Sequence, residues 1–518
     1  MARRIVGAGF PRPKHDALKQ GGETPPLQKF IMNSSNIKIG WAQTDITPQE
    51  LPVYIAGQFH ARVSEGMESP LMATALALES GGEHAVFVCL DAVGVSDELR
   101  DATRAHLNED GLDPQKVIFH VTHTHEAPLN RITPTGSYQM WGNEKDEMDS
   151  QAQPPQSYIA FASAKIAAAI REAWQNRAPG GVAFGLDYAV IGRNRRWVDK
   201  NGVSTMYGLD ENSAERFDHI EGFEDHSLNL LATYDDAGVL TGVVVNIPSP
   251  SQETEHLFEL SADFWHETRR ELRARFGENL FILPQVSAAG ELTSHLIFEK
   301  PAHERMLELR GRTGREEVAQ RIADAVGRVL PVIAPTIESA PLLQHQHETL
   351  QLPMNQLRES DVEDAHQNIA QWQEKYEAAK QKLAENPALK NEPRWYVPIT
   401  QALNRIGWYR GVLERYEQLQ RGENTYLAEV HILRLGDIAF ATNPFEYYLD
   451  FGIQIKVKSP AIQTFVVQLA GNGTYVPSPR AAVGGGYGAV PASNPVGPQG
   501  GQVLANYTVE QIGALWEA

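Results

Sequence analysis

The residues best placed to do chemistry lie between Val117 and Pro128, read V-I-F-H-V-T-H-T-H-E-A-P. Val117 to Val121 is mostly apolar, as a buried strand requires, and histidines fall at His120, His123 and His125. Alternate side chains of a strand share a face, so a strand continuing this far would aim His123 and His125 the same way. Two neutral imidazoles side by side at a strand end begin a divalent-metal site. The competing reading is polar residues at a strand exit. A second candidate is the loop Ser287-Ala288-Ala289-Gly290-Glu291-Leu292-Thr293-Ser294-His295, whose small residues let backbone and substrate approach closely. Asp91 directly follows the apolar run Ala85 to Leu90, at a position where strand ends commonly carry functional groups. A glycine- and proline-dense segment, Gly471 to Gln502, carries Tyr475 and Tyr487; so long a loop inside a compact domain is usually functional or disordered. A second His-x-His, His345-Gln346-His347, is surrounded by Glu348, Thr349 and Gln351 and reads as an exposed strand.

The elements that must position these groups alternate. Ile37 to Ile46, Leu71 to Glu79, Ala85 to Leu90 and Val117 to Val121 read as strands, with helical spacing over Ser96 to Leu107. Ser157 to Gln175 is an alanine-rich helix, and Ser227 to Tyr234 with Gly242 to Ile247 form a hairpin. Asp263 to Phe276 is helical and Leu280 to Gln285 a buried strand; strands resume at Tyr426 to Arg434, Ile438 to Thr442 and Thr464 to Leu469. This is an α/β mixed-sheet layered domain. Residues 356–423 carry two apolar series at steps of three and four, separated by Pro387, Pro393 and Pro398. They predict an inserted antiparallel helical hairpin, a structural arm through which the chain would self-associate as a homo-oligomer. The expected organisation is a disordered leader over 1–36 and a catalytic domain over 37–518 containing that insertion.

Bulk properties narrow the class. The net charge of -19 excludes a basic footprint for nucleic acid. The single cysteine, Cys89, lies in the apolar run Ala85 to Leu90 and reads as a core thiol; it excludes an intramolecular disulfide framework and a multi-cysteine zinc site. No apolar stretch reaches membrane-spanning length and the basic, Pro/Gly-rich start lacks a secretory core, so no membrane insertion and a cytoplasmic location are expected. There is no Gly-x-Ser-x-Gly elbow, Walker loop or dinucleotide fingerprint, and His266-Glu267 lacks the second histidine of a zincin helix.

With these residues in view, the chain resembles the neutral/alkaline, non-lysosomal ceramidase family from about Ile37 to about Pro491. G-W-A-Q-T-D-I-T-P resembles that family's first strand. His123-Thr124-His125 with Glu-Ala-Pro is similar to its His-Thr-His-Ser-Gly-Pro motif, whose first histidine binds zinc. Ala289-Gly290-Glu291-Leu292-Thr293-Ser294 resembles its Ala-Gly-Asn-x-Ser-Pro loop, which carries the proposed nucleophile. Asn443-Pro444-Phe445-Glu446 resembles the segment supplying its zinc-binding glutamate, and Tyr475 and Tyr487 are similar in order and spacing to its two active-site tyrosines. The resemblance implies Zn2+ held by His123, Glu446 and Tyr475. The family's second zinc histidine should lie near Asn246 to Ser251, where this chain reads N-I-P-S-P-S, so His256 or Glu255 is the expected replacement. The nucleophile position falls on Thr293, with Ser294 where the family has proline, and the family's immunoglobulin-like module has no counterpart before Ala518.

The chemistry expected is hydrolysis of an amide or other bond in a polar small molecule, rather than membrane ceramide. Metal would make hydroxide available near neutral pH. His125 would orient the water, Tyr487 stabilise an oxyanion, Thr293 contact or attack the substrate, and Asp91, Glu255, Glu291 and Ser294 line the substrate site. A second reading uses the carboxylates Asp91, Glu255, Glu291 and Glu446 on a sugar or glycoside. A third is a non-catalytic ligand-binding protein.

Overall fold

The computed structural model describes residues 36–108, 111–132, 152–210 and 212–517; the expected leader over 1–36 lies outside them apart from Asn36. Strand alternation generates the architecture. After β1 (Lys38–Asp45), β2 (Met72–Ser80) turns Ala73, Ala75 and Ala77 to one face and Leu76 and Leu78 to the other. In β3 (Glu83–Leu90) Val86, Val88 and Leu90 oppose Ala85, Phe87 and Cys89, and β4 (Val117–Val121) is buried throughout. Strands apolar on both faces must be covered on both. Cys89 is accordingly a core thiol.

These strands join β5 (Ala178–Tyr188), β6 (Ser227–Asp235), β7 (Leu240–Ile247) and β8 (Phe281–Val286) in an eight-stranded sheet of order β8-β7-β6-β5-β1-β2-β3-β4. The β3–β4 and β7–β8 pairs are parallel and the others antiparallel. A second sheet has the order β9 (Leu343–Pro353), β10 (Thr425–Leu435), β11 (Ile438–Thr442), β12 (Gln463–Val467). The two sheets face each other across one core, in which Phe440 lies 5.0 Å from Phe87 and 4.6 Å from Phe465 between ring centroids. Helices cover the outer faces. Over β1–β4 lie α1 (Asp97–Ala105) and the alanine-rich α2 (Pro155–Gln175). Over β6–β8 lie α3 (Phe264–Phe276), capped by Asp263, and α4 (Gly314–Ile333), opened by a Thr313/Glu316 capping box. The result is a mixed α/β fold of four layers, helix–sheet–sheet–helix.

The insertion folds as α5 (Glu359–Glu385) and α6 (Val397–Gln420), which pack on each other. Their seams do more than face one another. Among its residues α5 buries only Ala365, whereas α6 buries Ile399, Leu403, Ile406, Trp408 and Val412. Asn404 Nδ2 donates to the Phe59 carbonyl at 2.7 Å and Thr400 Oγ1 accepts from the Ala61 amide at 3.0 Å, so α6 is bolted to the body. Beyond it, α7 (Leu449–Lys458) and α8 (Pro498–Glu517) cover the second sheet; α8 thus takes up the end of the expected 471–502 loop.

His120, on β4, points into the core between the sheets near Phe87, and neither ring nitrogen makes a hydrogen bond. Burial pushes its pKa down from 6.5 to about 3. Below pH 6.5 the unfolded chain therefore takes up a proton that the folded chain refuses, and stability falls as pH drops towards about 3. We predict that His120→Leu is more stable than wild type in urea unfolding, by a margin that widens as pH is lowered from 6.5 to 4. A margin constant with pH would contradict this.

Candidate active site

Strand β4 ends at Val121, two residues before the first of the paired histidines. His123 sits in the left-handed region (φ 63) rather than in a continued strand, yet the turn brings the His123 and His125 rings to 4.8 Å between centroids. Gly57, at φ +103, lies so close to His125 that a Cβ there would sit 2.6 Å from the ring. Arg62 is buried behind, and its guanidinium donates to the carbonyls of Glu255 and Leu257 at 3.1 and 2.8 Å and also to those of Ala56 and His125. One donor-only side chain thus locks three loops together.

Glu446 and Tyr475 arrive from different segments as partners in a two-residue parallel ladder, which sets their side chains next to each other. The glycine of the small-residue loop is required here: a Cβ on Gly290 would lie 2.6 Å from the Glu446 carbonyl oxygen. That loop pairs with Arg193–Asn194 through Leu292 and Thr293, and the pairing delivers Arg195, which is 2% exposed. Arg195 Nη1 donates to Tyr207 Oη at 2.6 Å and Gln252 Oε1 at 3.1 Å; Nη2 donates to the Gly290 carbonyl at 2.9 Å and Tyr475 Oη at 3.3 Å, and lies 3.8 Å from Glu446 Oε2. Burial works to lower its pKa, but Tyr207, Tyr475 and Glu446 outweigh it and hold the guanidinium well above its usual range. Burial likewise works to raise Glu446, and His123, Arg195 and Tyr475 overcome it, so the carboxylate is held ionised. Tyr475 is pushed well up by burial and by Glu446, and stays a neutral phenol.

These contacts determine where the protons sit. Arg195 can only donate, so Gln252 presents its oxygen to Arg195 and its Nε2 to His125 Nε2, 2.7 Å away. His125 Nε2 therefore accepts, and its proton is on Nδ1, 3.0 Å from Glu255 Oε2. Burial lowers the His125 pKa, so the ring is neutral. Glu255 faces His295 Nε2 at 3.6 Å on its other oxygen, and these imidazoles together with Arg195 overcome burial to hold it well below the usual carboxylate range. His123 Nδ1 lies 2.6 Å from the Val93 carbonyl, which only accepts, so Nδ1 donates and any lone pair of the ring is on Nε2. That lone pair faces His125 Nε2 at 3.2 Å and Glu446 Oε2 at 3.5 Å. His125 Nε2 is already satisfied by Gln252, which leaves His123 Nε2 and Glu446 Oε2 facing each other. These two atoms, 3.5 Å apart, are the pair at this site that could share a divalent cation.

His123, His125, Glu446, Tyr475 and Tyr487 line one cavity of about 320 Å³. Phe59, Trp408 and Tyr487 form its aromatic wall, with ring centroids 5.3 to 5.9 Å apart. Trp408 and Arg415 come from α6, so the arm expected to be purely structural supplies part of the wall. The other expected residues lie elsewhere. His256 is exposed and outside the lining. Asp91 is fully buried in a two-bonded ion pair with Arg269 on α3. Glu291 accepts from the Leu449 amide at 3.0 Å, and burial raises its pKa to about 8. Thr293 is buried behind the wall, hydrogen-bonded to Tyr207, and Ser294 does not reach the cavity. The sequence reading did not single out Arg195, Tyr207 or Gln252, and named His295 only as the end of the small-residue loop. The run Arg193-Asn194-Arg195-Arg196-Trp197, three arginines in a short strand-like segment, was the available signal for the first.

Removing the Arg195 charge leaves Glu446 buried without its guanidinium. Arg195→Met is predicted to destabilise the chain by ~3–5 kcal/mol in urea unfolding, with Arg195→Lys losing less. A cost within about 0.5 kcal/mol, as at an ordinary surface site, would contradict the assignment.

No protein-family model and no curated protein sequence matches the chain. Among solved structures it is similar to the neutral ceramidase of Pseudomonas aeruginosa, with a TM-score of 0.62 and 16% identity over 93% of this chain and 75% of that one. It is similar also to a ceramidase complexed with C2, with a TM-score of 0.61 and 13% identity over the same shares. No helix among the described residues is long and apolar enough to cross a membrane. The chain has a neutral ceramidase-like mixed α/β fold.

Proposed function

We propose that the chain is a zinc-dependent hydrolase that cleaves an amide, or a related acyl bond, in a small polar molecule rather than in membrane ceramide. The observation that carries this reading is the approach of His123 Nε2 to Glu446 Oε2 at 3.5 Å, beside Tyr475, on the wall of a cavity. The likeness of fold to a neutral ceramidase supports an amide as the bond. When bound, a divalent cation supplies Lewis acidity, polarising a carbonyl and acidifying water.

The chain's own residues supply the rest. His125 stands at the cavity wall beside His123, held by Gln252 on Nε2 and facing the Glu255 carboxylate with Nδ1, and so positions the histidine turn. The water oxygen bonds to the carbonyl carbon, and one of its protons ends on the departing nitrogen as the C–N bond breaks. Tyr487, at the cavity wall 5.4 Å from Tyr475 between ring centroids, offers an O–H donor where the carbonyl oxygen becomes negative. Thr293, behind Tyr207, positions that phenol rather than attacking. The aromatic wall takes an apolar portion of the substrate, and Arg415, whose Nη1 makes no hydrogen bond, supports a polar or anionic end.

The carboxylate reading, a sugar-processing site, has less support: Asp91 and Glu291 are tied to Arg269 and Leu449 outside the cavity lining. Metal analysis and an amide and ester panel test the proposal. Wild type should hold zinc and hydrolyse a member of the panel, and His123→Ala and Glu446→Ala should each lose both. Trp408→Ala should raise KM more than it lowers kcat. A zinc-free wild type with unchanged activity in His123→Ala would overturn it, and binding without turnover would favour a ligand-binding protein.

A further inference from the structure

The second His-x-His is not an exposed strand feature. His345 is buried, and His347 is the registered cross-strand partner of His431, with Glu429 two residues before it on the same face of β10. Among the described residues, His347, Glu429 and His431 place one ligand atom each within 4.8 Å of one another. None of them lines the cavity that holds His123.

Proton positions can be traced through this cluster. The His84 carbonyl lies 3.0 Å from His345 Nδ1 and can only accept, so Nδ1 carries the proton. In the neutral tautomer this fixes, the lone pair is on Nε2. That lone pair is 3.0 Å from His431 Nδ1, which must therefore donate. In that tautomer the lone pair of His431 is on Nε2. It faces Glu429 Oε1 at 3.2 Å, with His347 Nε2 3.7 Å from the same oxygen and without a hydrogen bond. A carboxylate oxygen and an imidazole lone pair face each other with no proton to share. Donors around a tetrahedral zinc lie about 3.3–3.5 Å apart, from bond lengths of about 2.0–2.2 Å; the two observed spacings bracket that range.

We infer that His347, His431 and Glu429 form a second metal site, separate from the catalytic cavity, for an imidazole-preferring divalent cation, zinc first. Neutral nitrogen donors with one carboxylate suit zinc, nickel or copper and disfavour calcium or magnesium. His345 acts behind the ligands, fixing the tautomer of His431. The charged groups facing the cluster are Arg104, which takes Glu429 at 2.5 and 3.1 Å from α1, Arg100 at 3.6 Å, and Lys116 near His345. Arg104 also donates to the Val117 carbonyl, so a metal here would staple the β9–β10 ladder to α1 and the start of β4. The arginines orient the carboxylate and keep it ionised while opposing a cation, so the site is expected to bind more weakly than one rich in carboxylates.

The test uses the full chain carrying His123→Ala and Glu446→Ala, stripped with a chelator and dialysed against zinc chloride alone, so that the cavity contributes nothing. This protein should bind one zinc per chain and gain thermal stability from it. Adding His347→Gln, which keeps the bulk of the side chain without an imidazole, should weaken binding at least about tenfold, since even outer-shell partners are worth about 10–100-fold. It should also abolish the zinc-dependent rise in Tm while leaving the metal-free Tm unchanged. If His347→Gln does not fold, Glu429→Gln is read in its place, with the same expectation for zinc. No zinc bound by the parent, or zinc bound equally by the variants, overturns the site.

Discussion

A guanidinium with almost no solvent must be surrounded by acceptors, and satisfying Arg195 organises the candidate site. Burying a cation costs several kcal/mol unless it is paired and hydrogen-bonded. Arg195 meets that demand at its two Nη atoms, through Tyr207, Gln252, the Gly290 carbonyl, Tyr475 and Glu446, while its Nε makes no hydrogen bond. Because it can only donate, it also fixes the orientation of Gln252, and through Gln252 the tautomer of His125. Proton placement at the cavity wall thus follows from the burial of one charge.

The fold makes such burial possible by stacking two sheets between helical layers, so that strand ends meet where loops can be packed densely. β4 supplies the histidine turn, the ladder after β11 supplies Glu446 and Tyr475, and the segment beyond β5 supplies Arg195. None of these groups is close to another in sequence. The α5–α6 insertion closes the arrangement by pressing Trp408 onto Phe59 and Tyr487. A helix bolted to the body through Thr400 and Asn404 is well suited to shape a substrate cavity.

Much of the fold was legible in the sequence because it is written in local periodicity. The alternation in β2 and β3, the alanine-rich α2 and the two apolar series of α5 and α6 each specify their element without reference to distant partners. Where periodicity stops, so did the reading. The strand pattern suggested that β4 would carry His123 and His125 on one face, whereas a left-handed residue at His123 does the work. Asp91 and Glu291 were visible as carboxylates at strand and loop ends, but their partners, Arg269 and the Leu449 amide, are 178 and 158 residues away. Arg195 and Gln252 acquire their roles only through long-range contacts that spacing does not encode. The same holds for His345 and His347, whose polar neighbours suggested exposure, whereas His345 is buried and His347 half-buried against His431 on the next strand.

The most direct measurement of the central claim is a crystal structure of the zinc-soaked protein with anomalous scattering recorded across the zinc edge. The account predicts a peak at the cavity wall bonded to His123 Nε2 and Glu446 Oε2, with Arg195 still on Tyr475 and Gln252. A map without that peak, in which a proton on His123 Nε2 bonds directly to Glu446, would contradict it.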